Sequence, residues 1–241
     1  MKILYRISNG GYKKEKLPFA DKFYCLENFL KIFGKDDVHI FADNCLPETI
    51  NKLKTYNLKL TESNKGSSGQ SWKMVAEYAI KHFSDQETIY FLEDDYLHRN
   101  NAFKLIEEGL HVADYVSLYD HPDKYIDGSK GGNRFVKDGG EFSKIIKTES
   151  SHWKTTTSTT MTFACKLKTL KEDWGVWDEF TKGTLPNDDQ IFYKLMGIRK
   201  FKFIISAVLR GKKRKLITPI PGFSTHVESA WLSPFVDWEN A

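Results

Sequence analysis

Short apolar, β-branched runs alternate with segments of helical spacing through the first hundred residues. Lys2–Ser8 (KILYRIS), 38–42 and 88–92 read as buried strands, and 58–61 as a briefer one. Phe23, Leu26, Leu30 and Phe33 recur at helical spacing, which predicts a helix over 20–33 that stops at Gly34. Further helices are predicted over 47–56 and 71–83, the second capped by a serine and preceded by a glycine- and serine-rich loop at 62–69. Beyond residue 100 the pattern predicts a mobile excursion or hairpin over 135–147 and a polar, β-rich run over 155–164. A helix start follows at Asn187, and a late strand and turn precede His226. Strands alternating with helices imply right-handed crossovers: a mixed, mostly parallel central sheet flanked by helices, an α/β chain.

Ligands in such sheets gather at the carboxyl ends of the strands. Arg6 and Ser8 end the first strand, Asp43 the second, and Glu93-Asp94-Asp95 the long fourth, so these side chains are expected along one edge. Three consecutive carboxylates at a strand tip repel one another, which calls for a hard divalent cation or else a solvated turn. Asp43 suits ligand contact and the capping of the turn before Pro47 equally well.

Composition supports one sizeable domain: 241 residues, 40% hydrophobic and 14% aromatic, bury a substantial core. Cys25, Cys45 and Cys165 lack the close spacing of zinc sites or disulfide frameworks and are expected as free thiols. No run approaches the roughly 18 apolar residues of a membrane span, and no signal-peptide pattern opens the chain, so a soluble, cytoplasmic protein is expected. The net charge of +4 is mild, but Arg210 to Lys215 concentrates positive charge. That cluster reads as a solvated loop, a diphosphate contact, or a peripheral membrane contact through Lys212 to Lys215. No RNA-binding or helix-turn-helix signature supports nucleic acid as a partner.

The order of the acidic triplet, of Asn187-Asp188-Asp189 and of Thr225-His226-Val227-Glu228 resembles that of nucleotide-sugar glycosyltransferases with the GT-A fold, in particular family 2. The resemblance implies a single Rossmann-like domain, with residues 1–98 binding the nucleotide sugar and 99–241 the acceptor. It implies a metal-dependent transfer from a nucleoside diphosphate sugar, in this family usually UDP-linked, to a glycan or other hydroxyl acceptor. Asp95, Glu93 and His226 would hold Mn²⁺ or Mg²⁺, and Arg6, Ser8, Asp43, Lys65 and Asp94 would meet the nucleotide. Asp189, with Asp188 beside it, would act as the general base of an inverting reaction. An acid in the first turn of a helix is also favoured by the helix dipole alone. Trp153, Trp177 and Trp231 are candidate stacking platforms for the acceptor, or core residues. The departures from D-x-D to Glu-Asp-Asp and from Glu-Asp to Asp-Asp bear on metal dependence and stereochemistry. Two other classes fit the same acids. One is a sugar nucleotidyltransferase, for which residues 9–14 partly match a phosphate-binding loop; the other is a non-catalytic calcium or carbohydrate-binding module.

Overall fold

The computed structural model describes residues 1–10, 15–198 and 213–240. Strands β1 (Lys2–Ser8), β2 (Val38–Asp43), β3 (Lys59–Ser63) and β4 (Thr88–Glu93) form a parallel set in the order β3-β2-β1-β4. After β4 the chain turns through Asp94 and Asp95 into β5 (Tyr96–His98), outside the main sheet. The sheet continues beyond β4 with strands from the second half of the chain. These are β6 (Tyr115–Val116), β9 (Ile145–Lys147), β10 (His152–Thr155), β11 (Phe163–Lys166) and β12 (Leu216–Pro219). Their order from β4 is β11-β6-β12-β10-β9, antiparallel except between β6 and β12. The sheet is therefore mixed, parallel through its N-terminal half, and both halves of the chain share it. Strands β7 (Val136–Lys137) and β8 (Gly140–Glu141) make a small hairpin, and β13 (Ser224–His226) pairs with β5.

Both faces of the sheet are buried, which is why its strands read as apolar runs rather than alternating ones. Helices α1 (Lys22–Phe33), α2 (Pro47–Lys54) and α4 (Ala102–Val112) cover one face. Helices α3 (Ser68–His82), α5 (Leu167–Glu172), α6 (Trp174–Phe180) and α7 (Asp188–Met196) cover the other. Alternation along β1 sends Ile3, Tyr5 and Ile7 toward Leu26 and Phe29, and Leu4 toward Trp72 and Phe91. No helix among the described residues is long and apolar enough to cross a membrane.

Caps decide where the helices begin. The Asp21 carboxylate accepts from the Phe23 and Tyr24 amides at 2.8 Å, so α1 starts at Lys22 rather than residue 20. The Ser67 hydroxyl accepts from the Gln70 amide at 3.3 Å, so α3 starts three residues before the predicted 71. Gly69 is required by close approach: a Cβ there would meet the carbonyl oxygens of Gly183 at 2.5 Å and Thr181 at 2.8 Å.

Other expectations change. Residues 156–162 form no strand; their hydroxyls bond inward instead, as Thr159 does to Ser117 at 2.8 Å and Thr160 to the Tyr96 hydroxyl at 2.8 Å. Only part of 135–147 is a hairpin, since Ile145–Lys147 joins the sheet as its edge. Trp153 and Trp177 are fully buried, so neither offers a face to an acceptor. Trp177 stacks on Phe163 and Trp72 with centroids 4.9 and 4.8 Å apart, and its indole N–H donates to the Tyr115 hydroxyl at 3.1 Å. We expect Trp177→Ala to cost about 3–5 kcal/mol in denaturant unfolding, the usual result of emptying a buried aromatic site. A stacking platform would instead lose ligand affinity at unchanged stability.

Of the basic cluster, residues 210–212 lie outside the described residues, as do residues 11–14 of the loop after β1. Arg214 is not a surface charge: it is buried among Asp173, Glu172 and Asp114 at 2.8, 2.7 and 3.3 Å. Lys213 and Lys215 are exposed.

Candidate functional site

The carboxyl ends of β1, β2 and β4 open on a cleft of about 740 Å³. Its floor is the acidic turn after β4, one flank is the start of α3 (Gly66, Ser67, Ser68, Ser71), and the opposite flank carries His121, His226 and Trp231. The loop from Thr184 to Pro186 also lines it, and is held to α3 by the Gly69 amide donating to the Thr184 carbonyl at 3.2 Å.

The three acids of the triplet have different surroundings. Glu93 lies beside Arg6 in the β1–β4 register, and its Oε1 accepts from the Arg6 guanidinium at 2.7 Å. Arg6 also donates to the Ser68 carbonyl at 3.0 Å, which ties the strand to α3. Asp94 accepts from the Ser8 amide at 3.0 Å, with Lys22 Nζ 4.0 Å away. Burial, then the neighbouring Asp95 charge, pushes Asp94 up to about 6. Asp95 Oδ2 stands 3.0 Å from His226 Nε2 and 3.5 Å from Lys16 Nζ.

His226 is brought there by the β5–β13 pairing, in which it sits opposite Tyr96, and the Val227 amide donates to the Asp95 carbonyl at 2.9 Å. Glu228 Oε2 lies 3.6 Å from the other ring nitrogen, Nδ1. Two segments 130 residues apart are thus locked together at the turn.

Among the described residues no three His, Cys, Asp or Glu side chains form a ready-made metal cage. Glu93 is paired with Arg6 through Oε1. Asp95 and His226 form a facing pair. Among the described residues, six carboxyl groups line the cleft (Asp43, Glu93, Asp94, Asp95, Asp188, Glu228) beside the cations Arg6, Lys16 and Lys22.

Asp43 is buried, and its carboxylate accepts from the Ser63 hydroxyl at 2.8 Å, the Lys65 amide at 2.7 Å and the Asn44 side chain at 3.1 Å. It pins the loop that leads into α3. Lys65 supplies that amide, and its side chain is exposed, next to Gly66 of the cleft lining. Ser8 lines the cleft and fixes Asp94 through its amide.

A second cavity of about 320 Å³ adjoins the first and shares His121, Thr160 and Asp188 with it. Asp188 opens α7 and accepts from the Asp189 amide at 2.8 Å. Burial pushes it up to about 7, helped by the charges of Asp189 and Glu93 and opposed by the Asp189 amide and Lys124. Asp189 lines only the second cavity, and its Oδ2 accepts from Gln190 at 3.0 Å.

No protein-family model matches the chain, and no curated protein is significantly similar to it. Solved structures with a related chain path include a crystal structure of S. aureus TarS 1-349, at 14% identity and TM-score 0.43 over 72% of this chain and 49% of that one. Another is the galactosyltransferase LgtC with donor and acceptor sugar analogs, at 10% identity and TM-score 0.45 over 80% of this chain and 69% of that one. A third is 4-diphosphocytidyl-2C-methyl-D-erythritol synthase from Anaerococcus prevotii, at 12% identity and TM-score 0.47 over 90% and 87%. The chain spans about half the length of the TarS structure. Likeness at this level speaks to neither substrate nor chemistry.

The expected residues Arg6, Ser8, Asp43, Glu93, Asp94, Asp95, Asp188, His226 and Trp231 all line the main cleft. Lys16, Lys22 and His121 also line it and were not expected. For His121 a signal existed: Tyr119-Asp120-His121-Pro122-Asp123 is a polar cluster just beyond the short apolar run at Tyr115–Val116. Its Nδ1 lies 2.8 Å from the Asp123 carboxylate, and its ring is 5.3 Å from that of Trp231.

Proposed function

We propose that this chain is a metal-dependent glycosyltransferase that moves a sugar from a nucleoside diphosphate donor to a hydroxyl acceptor. The observation that carries the reading is the pair of joined cavities, one acidic and at the strand ends, the other reached past Asp188. Such an arrangement suits a donor and an acceptor meeting at the shared wall.

Among the described residues the carboxylates Asp43, Glu93, Asp94 and Asp95 crowd the strand ends, and a nucleoside diphosphate, itself an anion, is better received there with a cation beside it. Asp95 and His226 fit that ion. Their 3.0 Å separation matches two adjacent ligands each about 2.1 Å from a six-coordinate centre, and Mg²⁺ commonly takes only one or two protein groups beside phosphate oxygens. Glu228 near Nδ1 would orient the imidazole toward the ion. Mn²⁺ or Mg²⁺ bound there would stabilise the charge that develops on the leaving diphosphate. Arg6, through Glu93 and Ser68, keeps strand and helix in register around the donor, and Asp94 is within reach of a ribose hydroxyl.

For the base we place Asp188 ahead of Asp189. A base must touch the acceptor hydroxyl and work best with a pKa near the operating pH. Asp188 faces both cavities and is pushed up to about 7; Asp189, the residue expected from the sequence, faces one. A base across from the departing diphosphate gives single displacement with inversion. The choice of uridine as the base, and of inversion itself, rests on the sequence resemblance.

The direct test is release of nucleoside diphosphate from a panel of UDP-, GDP- and ADP-sugars, with Mn²⁺ and with chelator. Metal-dependent turnover of one donor supports the reading; cleavage of a nucleoside triphosphate with a sugar phosphate, and of no sugar donor, would favour a nucleotidyltransferase.

A further inference from the structure

The second cavity has a composition of its own. At about 320 Å³ it lies near the small end of ligand pockets, roughly 300–1,000 Å³, room for a single sugar residue rather than a folded partner or an extended polymer segment. Its wall carries the Ser158, Thr159, Thr160 and Tyr193 hydroxyls and the Asn133 amide, interspersed with carbon surface, a mixture that suits the hydroxyls and C–H faces of a sugar better than a lipid tail. Its fixed charges nearly cancel: Lys124 and Arg134 against Asp123 and Asp189, with Asp188 at the junction.

Lys124 is the unusual member. Its side chain is 2% exposed, and among the described residues its hydrogen-bond acceptor is the Ser158 hydroxyl at 2.6 Å, with the Asp123 carboxylate 3.7 Å away, beyond hydrogen-bond length. An ammonium carries three donors and strongly disfavours burial with any of them unspent. Lys124 lines the cavity, so its remaining donors face water there or the oxygens of a ligand that displaces it. A phosphorylated or uronic acid ligand would meet Asp188 and Asp189 as well as the two cations, whereas a neutral polyol satisfies donors and carboxylates alike.

We infer that the second cavity is the acceptor subsite for one neutral, hydroxyl-rich sugar residue, read by the buried ammonium of Lys124, with the reacting hydroxyl directed to the wall shared with the first cavity. The inference rests on the transferase reading above and narrows its acceptor. It favours a neutral sugar residue over phosphate-bearing polyols and lipid alcohols as the group that enters.

The test begins with the wild-type protein, saturated with UDP and Mn²⁺, and saturation-transfer NMR of methyl glycosides of glucose, galactose, mannose and N-acetylglucosamine beside glucuronic acid and glucose 6-phosphate. At least one neutral glycoside should bind, and the two acids should bind at least about tenfold more weakly. Lys124→Met should then raise KM for that glycoside about tenfold or more, leave the affinity for UDP within twofold, and move the rising pH limb of kcat upward, since Lys124 opposes protonation of Asp188. Preferential binding of the acids, or no binding by any sugar to protein that does bind UDP, overturns the inference while the transferase reading stands. Failure to bind any of UDP, GDP and ADP overturns that reading first. The wild-type profile decides the matter even if Lys124→Met fails to fold.

Discussion

Asp188→Asn is expected to lower turnover by about 10²–10⁴-fold while leaving donor affinity unchanged, the size of effect that follows removal of a general base. The amide keeps the shape of the carboxylate and can still accept from the Asp189 amide, so the loss reports on proton transfer rather than on folding. Asp189→Asn should cost far less. It should also move the pH limb of the wild-type enzyme, because the Asp189 charge is one of the causes holding Asp188 up. Wild-type kcat should rise with pH and level off above about 7, and removing the Asp189 charge should shift that rise to lower pH. Stability supplies a second readout with a definite sign. Asp188 has its pKa raised from 3.8 to about 7, so the folded protein holds this proton more tightly than the unfolded chain does. Its contribution to stability is present below about pH 4 and is lost as pH rises toward 7. Asp188→Asn, which never ionises, should therefore be more stable than wild type at pH 8 and gain little at pH 4. A less active, more stable variant is the behaviour expected of a strained functional group.

The second large effect concerns the facing pair at the acidic turn. Asp95→Ala should weaken metal-dependent nucleotide binding by at least about 10²-fold, and His226→Ala by somewhat less, since a neutral imidazole contributes no charge. Glu93→Gln separates the two views of the triplet. If Glu93 serves Arg6, its loss leaves the guanidinium partly buried without a charge partner, and the fold is destabilised by about 3–5 kcal/mol while metal affinity falls little. Removing a metal ligand would show the reverse. Isothermal titration of Mn²⁺ in the presence of UDP, beside urea unfolding, distinguishes them.

Much of this architecture is legible in the residues because burial on both faces turns strands β1, β2 and β4 into unbroken apolar runs. The convergence of Ser8, Asp43 and Asp95 on one edge follows from the parallel order alone. What sequence reasoning missed depends on register and on distant segments. Arg6 and Glu93 meet because they are paired across β1 and β4, which two isolated strand patterns do not reveal. The same indole serves as cleft wall at Trp231 and as core at Trp153 and Trp177, and only the surrounding aromatic stack tells them apart. Nothing near Lys16 and Lys22 in sequence marks their approach to Asp95 and Asp94. The sequence resemblance points to Asp189 ahead of Asp188, whereas the helix that carries them turns Asp188 toward both cavities and Asp189 toward one.

The central claim is that an acidic cleft built around Asp95 and His226 accepts a nucleoside diphosphate together with a divalent cation. Calorimetric titration of UDP, then GDP and ADP, into the wild-type protein with Mn²⁺ and with chelator tests it most directly. The account predicts saturable binding of one nucleotide that disappears when the metal is withdrawn. Binding of equal strength in chelator, or none by any nucleoside diphosphate in the presence of Mn²⁺ or Mg²⁺, would contradict it.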